Sequence, residues 1–534
     1  MLKLVLGIIL LPVLIFGQTE RWVYTYNGPV NGTDVANAIV YGADGNVYTA
    51  GSSFDSTYTE DLLVTSITSS GSQRWIYQYN GTGNSYDGAY SILYGTDSNI
   101  YVAGYSWDNN YDIIVISLTS SGTQRWVYRY NGTGNLHDRA YSIVYGSDNN
   151  IYVAGSSTGN TSSDDFTVIS LTTSGTQRWV YTFNGLTNSQ DVANALVYGT
   201  DGNIYAVGFV TVLAQDFAVI SLTPSGTQRW VYTYDNPLHD NDYGWSIAYG
   251  LDNNVYACGF CTGPDTTQDY FVTSLTNTGS ERWTYRYNNS VLGNDQAYNI
   301  IYGRDNNIYT AGFTSGVSFD IKLISLTPSG SQRWTYTYNG TGNDDDEANA
   351  LAFSSDSTLY VAGYTRGAAS DNDFAVLSLS RTGSLRWLYT KNGTGNYYDY
   401  AYSIACGADN NIYAAGLLYG DSTYEDLAVI SLTRGAGIEE YSAFNHPPLS
   451  SFNVFASTFQ NQSLAYCLSA PEATKVTLSL YNSLGEKINS WRISIPKGTS
   501  RHSKNIPALS SGIYFLNVEN CEGQKESKKL VVIR

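Results

Sequence analysis

The sequence is poor in several things at once. Its 534 residues include only 28 Lys+Arg, 4 His, 5 Cys, 11 Pro and 1 Met. So few cations, against 46 Asp+Glu, exclude a nucleic-acid partner, because binding a phosphate backbone demands a basic surface. The imbalance is uneven. Residues 441–534 hold 10 Lys+Arg, 5 Glu and no Asp, a net of +5, which leaves −23 on the preceding 440. Five cysteines are too few for a disulfide scaffold. Cys258 and Cys261 form a C-x-x-C, but no second pair or nearby His accompanies them, so redox or metal chemistry is not expected there. Cys467 and Cys521, both in the tail, are a candidate disulfide. The sequence has one long apolar run, Leu4 to Phe16 behind Lys3. It is short for a membrane span of roughly 20 residues, and it reads as a signal peptide over residues 1–17.

Tyrosine is abundant, with 48 copies, and so is regularity. An Arg-Trp pair stands at Arg21-Trp22, Arg74-Trp75, Arg125-Trp126, Arg178-Trp179, Arg229-Trp230, Arg282-Trp283, Arg333-Trp334 and Arg386-Trp387. The interval alternates between 53 and 51 residues. Within one unit, four runs of alternating apolar residues are separated by Gly, Asn, Asp and Ser. They are Ala89–Tyr94, Asn99–Gly104, Asp112–Thr119 and Gln124–Tyr130. Four antiparallel strands at a period near fifty make a propeller blade.

The first three strands recur eight times, beginning after Asp34, Asp87, Asp138, Asp191, Asp242, Asp295, Asp346 and Asp399. The Trp strand also recurs eight times, but its first copy precedes every blade and nothing follows the last three-strand set. The surplus strand fits the vacancy. The expected fold is all-β: an eight-bladed propeller closed by the N-terminal strand, followed by a small β-sandwich. The domains are then 1–17 (signal peptide), 18–433 (propeller), 434–451 (linker, with Pro447-Pro448) and 452–534 (sandwich). Trp22, Tyr24 and Tyr26 share one strand face, so the eight Trp should form a structural ring buried between blades. Each would contribute about 4–6 kcal/mol as an upper bound.

The unit D-x-A-Y-S-I-x-Y-G-x-D-x-N-I-Y-V-A-G…V-I-S-L-T-x-S-G-x-Q-R-W resembles the secreted bacterial β-propeller family known as SBBP repeats, over about residues 21–433. That resemblance implies export and a propeller but no defined activity. The S-L-T-x-S-G-x-x-x-W part also resembles the tryptophan-docking motif of quinoprotein dehydrogenases, although the Ala-Leu-Asp and Thr-Gly-Lys of that motif are mostly missing. In the tail, Leu468–Ile488, Leu509–Glu519 and the closing Lys-Lys-Leu-Val-Val-Ile-Arg resemble the type A C-terminal sorting domain of the type IX secretion system. This implies the outer-membrane secretion machinery as a partner and a secreted or outer-cell-surface location. Val454-Phe455-Ala456-Ser457 replaces the usual Tyr-Pro-Asn-Pro at its start.

A ligand site is expected where the repeat varies. The loops between second and third strands, such as Tyr105–Tyr111, Ser156–Asp164, Phe209–Gln215 and Leu417–Glu425, share a face with the inter-blade connections. Variation on a rigid frame is where recognition usually sits. Trp107, His137 and His239 are candidate residues of that face. Two sets of eight Asp also fall there: the pre-blade set from Asp34, and Asp61, Asp112, Asp165, Asp216, Asp269, Asp320, Asp373 and Asp426 opening the third strands. Clustered carboxylates suit Ca²⁺, but a residue present in every blade reads better as a loop cap. Asp344-Asp345-Asp346 is the remaining cation candidate, and no other cofactor is expected. The G-x-S-x-G of Gly155–Gly159 lacks the helix that a nucleophile elbow needs, and there is no H-E-x-x-H and no phosphate loop. His446 and His502 lie outside the repeats. No catalytic residue is assigned. The expected function is non-catalytic binding or scaffolding, by a monomer, of a protein or glycan at the variable-loop face. A quinone-dependent or carbohydrate-active hydrolase or lyase propeller, or a structural surface-layer component, is the alternative.

Overall fold

The computed structural model describes residues 19–434, apart from 58, 290–292 and 368–369, and residues 453–532 apart from 461–462, 471–472, 483–486, 507–511 and 521–524. The signal-peptide segment 1–17, most of the linker, His446 and Cys521 lie outside the described residues, as does the side chain of Cys467. Two compact units divide between residues 438 and 439.

The first unit is eight four-stranded antiparallel sheets. Blades 1 to 7 span 34–79, 87–130, 139–183, 192–234, 243–287, 295–338 and 347–391. Blade 8 takes three strands from 400–433 and its fourth from Glu20–Tyr26, which pairs antiparallel with Glu425–Thr433, Trp22 opposite Ser431 and Tyr26 opposite Leu427. The count mismatch in the sequence is thus resolved by ring closure, and two sheet edges disappear.

Each interface between neighbouring blades holds its own apolar core. Ala36, Ile39, Val47, Leu63 and Ile67 of blade 1 meet Tyr413, Ala415, Leu427 and Val429 of blade 8 across the seam. The same arrangement recurs around the ring, for example between blades 1 and 2 and between blades 4 and 5. In every blade the second-strand Tyr (Tyr48, Tyr101, Tyr152, Tyr205, Tyr256, Tyr309, Tyr360, Tyr413) is wholly buried, more completely than the Trp. Seven of the eight Trp are half-buried and only Trp387, 5% exposed, is fully enclosed. The next blade covers one side of each indole while the outer edge of the sheet stays open. Their role is directional as well as apolar. Trp22 Nε1 donates to Ser69 O of the next blade at 3.0 Å, Trp75 to Ser120 O at 3.1 Å, and the other six repeat this. The indole of Trp75 lies flat on Gly122, whose φ is +87° and where a Cβ would come within 2.6 Å of the ring. Only glycine meets both conditions.

A one-residue bulge in every fourth strand displaces the Arg that precedes the Trp and turns it inward. Arg125 Nη1 then donates to Tyr101 Oη at 3.2 Å and Ser117 Oγ at 2.8 Å, while Tyr101 donates to Asp97 at 2.6 Å. This clamp, spelled by D-x-N-x-Y and R-W, ties the first turn of a blade to its outer strand. Blade 7 departs from it. There Arg386 donates to Thr358 instead, and Tyr360 Oη and Ser378 Oγ have no partner among the described residues.

The second unit contains a three-stranded sheet (453–460, 463–470, 498–505) and a four-stranded one (474–482, 487–495, 512–520, 525–532). Leu464, Leu468, Val476, Leu478, Leu480, Leu516 and Val518 are buried in its core. Alternation along 474–482 puts every second residue inside, as a half-buried strand requires.

Candidate binding face

About half of the residues in the segments expected to be variable loops are strand. The second strand of blade 2 runs through Asn99–Trp107 and the third begins at Tyr111, with Trp107 directly opposite Tyr111. Only Asp108–Asn110 is free of the ladder. Ladder pairing continues past the glycine of "YVAG", so side chains near these tips stand on rigid elements rather than on loops.

Both sets of Asp support this edge. The pre-blade carboxylates are fully buried. Each accepts the backbone N–H of the residue six positions earlier, as Asp87 does from Gly81 at 2.7 Å and Asp138 from Gly132 at 2.7 Å. For every one of them but Asp34 a second amide comes from the end of the second strand, such as Trp107 N at 3.1 Å for Asp87 and Thr158 N at 2.8 Å for Asp138. They cap the inter-blade connection. Burial pushes Asp138 up to about 7 and Asp34, Asp191, Asp242 and Asp399 up to about 6. Of the third-strand set, Asp61 rises to about 7 and Asp216 to about 6, again mainly through burial. The two sets face each other across blade interfaces, Asp61 with Asp87 and Asp426 with Asp34. Arg129 reaches Asp112 at 3.0 Å and Arg286 reaches Asp269 at 2.5 Å.

The carboxylates of Asp344, Asp345 and Asp346 turn to separate partners. Asp344 pairs with Arg366 at 3.0 Å, Asp345 accepts from Phe319 N at 3.0 Å, and Asp346 accepts from Gly340 N and Arg366 N. Among the described residues no group of three or more His, Cys, Asp or Glu is placed to hold a metal ion. Cys258 and Cys261 are buried in two different cores, on opposite faces of their strand, and burial raises both thiols. Gly155–Thr158 lies within a continuous strand, with Ser157 Oγ 2.8 Å from Thr167 Oγ1. No nucleophile elbow is formed there. His239, at φ +55°, sits 2.6 Å from Asp235 in the connection between blades 4 and 5. His137 is in the connection between blades 2 and 3, so the two do not come together. In the second unit His502 Nε2 lies 2.8 Å from Ser500 Oγ.

Every first strand carries a bulge that the repeat pattern did not signal. The register skips one residue at Asn37, Tyr90, Tyr141, Asn194, Trp245, Tyr298, Asn349 and Tyr402. The first strands are the innermost of each blade, around the central channel of a propeller. The bulge displaces this one side chain from the interface core. Asn37, Asn194 and Asn349 reach the backbone of the next first strand, at Ala89 O, Gly244 O and Ala401 O. The other five positions are aromatic. Their signal in the sequence is a position that varies between Asn, Tyr and Trp while its neighbours stay small.

Between blades 2 and 3 the aromatics join into one cluster. Tyr90 meets Tyr105 at 5.3 Å and Tyr141 at 5.5 Å, and Tyr105 meets Tyr111 edge-on at 5.2 Å. Trp107 meets Tyr111 at 4.8 Å, and His137 packs on both at 6.0 and 5.2 Å. Tyr90, His137 and Leu136 are exposed. Of the expected face residues, Trp107 and His137 are therefore brought together and His239 is not.

None of the curated proteins matches the chain. Among solved structures, the periplasmic gluconolactonase of Pseudomonas aeruginosa is 13% identical, with a TM-score of 0.40, covering 77% of this chain and 99% of its own. A protein of unknown function from Dyadobacter fermentans is 8% identical, with a TM-score of 0.39, covering 78% and 99%. A polysaccharide lyase, an ulvan lyase, is 10% identical, with a TM-score of 0.39, covering 77% and 95%. Likeness at this level assigns no activity. The tail is more informative: residues 462–533 match the secretion system C-terminal sorting domain, which marks the protein as exported to the cell surface or the extracellular space.

Proposed function

We propose that the propeller is a non-catalytic glycan-binding module, carried to the cell exterior by its sorting domain and working through the variable-loop face around the channel mouth. One observation carries this reading. The interfaces and the turns of the opposite face repeat almost unchanged eight times, whereas the variable-loop face gathers aromatic rings in particular sectors, six around Trp107 and seven from Tyr364 to Tyr424 between blades 7 and 8. Exposed rings on rigid strands offer flat apolar surface with little ordering cost, which suits the C–H faces of sugars. Symmetry serves the ring, and a ligand site must break it.

The test is a glycan array probed with the mature protein, followed by calorimetry on whatever binds. Trp107→Ala should weaken binding at least tenfold, while Thr96→Ala, on an exposed turn of the opposite face, should leave it unchanged. Loss with Thr96→Ala and not with Trp107→Ala would place the site on the wrong face and end the proposal.

A further inference from the structure

We propose that the Trp107 sector selects a carboxylate-bearing sugar, a uronate in a short chain, through Arg139. This deepens the glycan reading and rests on it. The residue after each pre-blade Asp forms a ring at the channel mouth: Val35, Gly88, Arg139, Val192, Tyr243, Gln296, Glu347 and Tyr400. Arg139 is its one cation, within a body whose formal charge is −23. In such a body a guanidinium has no shortage of acids to pair with, and arginines in other blades do so. Arg129 takes Asp108 and Asp112, Arg286 takes Asp269, and Arg366 takes Asp344 and Asp371. Among the described residues the Arg139 guanidinium has no carboxylate within 4.0 Å and no hydrogen bond; its carbon sits 4.2 Å above Tyr111 and 5.8 Å from Tyr105.

The equivalent position in other blades shows what is different here. The residue that opens the third strand of one blade faces the ring residue of the next, and at three other interfaces the two bond each other. Tyr243 donates to Gln215, Gln296 donates to Gln268 at 2.5 Å, and Asn372 donates to Tyr400 at 3.2 Å. At Tyr111 and Arg139 the pair stacks instead. Stacking occupies one π-face of the guanidinium and holds it in place, and it leaves the five in-plane N–H donors free for an incoming planar acceptor. The backbone fixes both partners, because Asp138 N donates to Tyr111 O at 2.6 Å. A fork of donors fits a carboxylate bidentately. The adjoining Tyr90 and Tyr105 rings, 5.3 Å apart, supply the surface on which the sugar ring would lie. Glu60, whose Oε2 is 3.4 Å from Tyr105 Oη, can accept a bond from a sugar hydroxyl on the far side. The acidic body repels long polyanions at low salt, so the fit is to a short chain with one carboxylate at the fork.

The experiment uses the mature protein and short oligomers of galacturonate, glucuronate, mannuronate and guluronate, each beside its carboxyl-reduced neutral counterpart, measured by calorimetry. At least one acid oligomer should bind about tenfold or more tighter than its neutral partner. Arg139→Gln should erase that difference, and Arg139→Lys should restore part of it. Circular dichroism and a melting curve confirm that each variant folds. Equal affinity for acid and neutral partners overturns the inference and leaves the glycan reading standing. So does a preference that survives Arg139→Gln, or an array on which only neutral glycans bind in a Trp107-dependent way. Absence of binding to any glycan overturns both.

Discussion

Deleting the N-terminal strand should open the ring, and the cost can be worked from its contacts. Glu20–Tyr26 is seven residues long and supplies the fourth strand of blade 8. Trp22, Tyr24 and Tyr26 pack half-buried against the seam core. At about half of 150–250 Å² each they remove roughly 300 Å² from water, which is about 7 kcal/mol as an upper bound. Arg21 bonds Tyr413, Ser431 and Ser69, Trp22 bonds Ser69, and Tyr24 bonds Gln73, at about 1 kcal/mol apiece. Ordering the strand opposes this by roughly 10 kcal/mol, and the backbone ladder returns a few. About 5 kcal/mol should remain, which is comparable with the whole stability of many domains. Protein lacking residues 1–26 should therefore lose its cooperative urea transition or show it at much lower urea. A synthetic peptide of residues 18–30 should restore the transition at about micromolar concentration, since supplying the strand in trans forfeits an effective concentration near millimolar. A truncated protein that unfolds at the full-length midpoint would refute the closure argument.

Three further outcomes are expected. Arg125→Met leaves the buried Ser117 hydroxyl without its donor and should cost about 2 kcal/mol, whereas Arg386→Met, in the blade whose clamp is already open, should cost about 1 kcal/mol or less; equal losses in urea titrations would show that the clamp contributes nothing. The buried Asp raised to about 6–7 favour the protonated folded form. Their contribution is complete below the ordinary Asp value near 4 and is lost as pH rises through 6 to 7, so the melting temperature should be higher at pH 5 than at pH 8, and a steady rise from pH 5 to 8 would contradict it. Cys258 and Cys261, enclosed in cores with raised thiols, should resist maleimide in native protein and react only in denaturant, as mass spectrometry would read.

The architecture was legible because a repeat reports itself many times over. One strand too many at the start and one too few at the end specify closure without any residue-level argument. What escaped was register. A bulge changes pairing by one residue without changing composition, so nothing in the alternation marked Tyr90 or Trp245 as displaced toward the axis, or Arg125 as turned back over Tyr101. The loops were drawn too long for a related reason. The alternation of Tyr105, Ser106 and Trp107 continues the strand, but the glycine of "YVAG" looks like a boundary when it is in fact the site where the bulged first strand comes closest, with no room for a Cβ beside Gly88 O. The repeat places the Trp ring between blades, but seven of the eight are only half-buried there, and the second-strand Tyr are more enclosed because they stand in the middle of a blade and the Trp at its rim.

The carboxylates bring scaffold and site into one argument. Sixteen Asp crowd the variable-loop face, and by composition alone that face should bind cations. The geometry assigns the pre-blade set to backbone amides, one before the blade and, in all but Asp34, one at the end of its second strand, so the acid is consumed in holding the edge rigid. What a ligand meets is then decided by the few positions left over, the ring residue after each Asp and the bulged residue two further on. Those positions vary while everything beneath them repeats. An unpaired Arg139 beside exposed aromatics is conspicuous because the frame around it has already neutralised or buried its own charges. The same frame makes the claim testable by a single side chain, since exchanging Arg139 for Gln removes a fork of donors and no part of the ring that supports it.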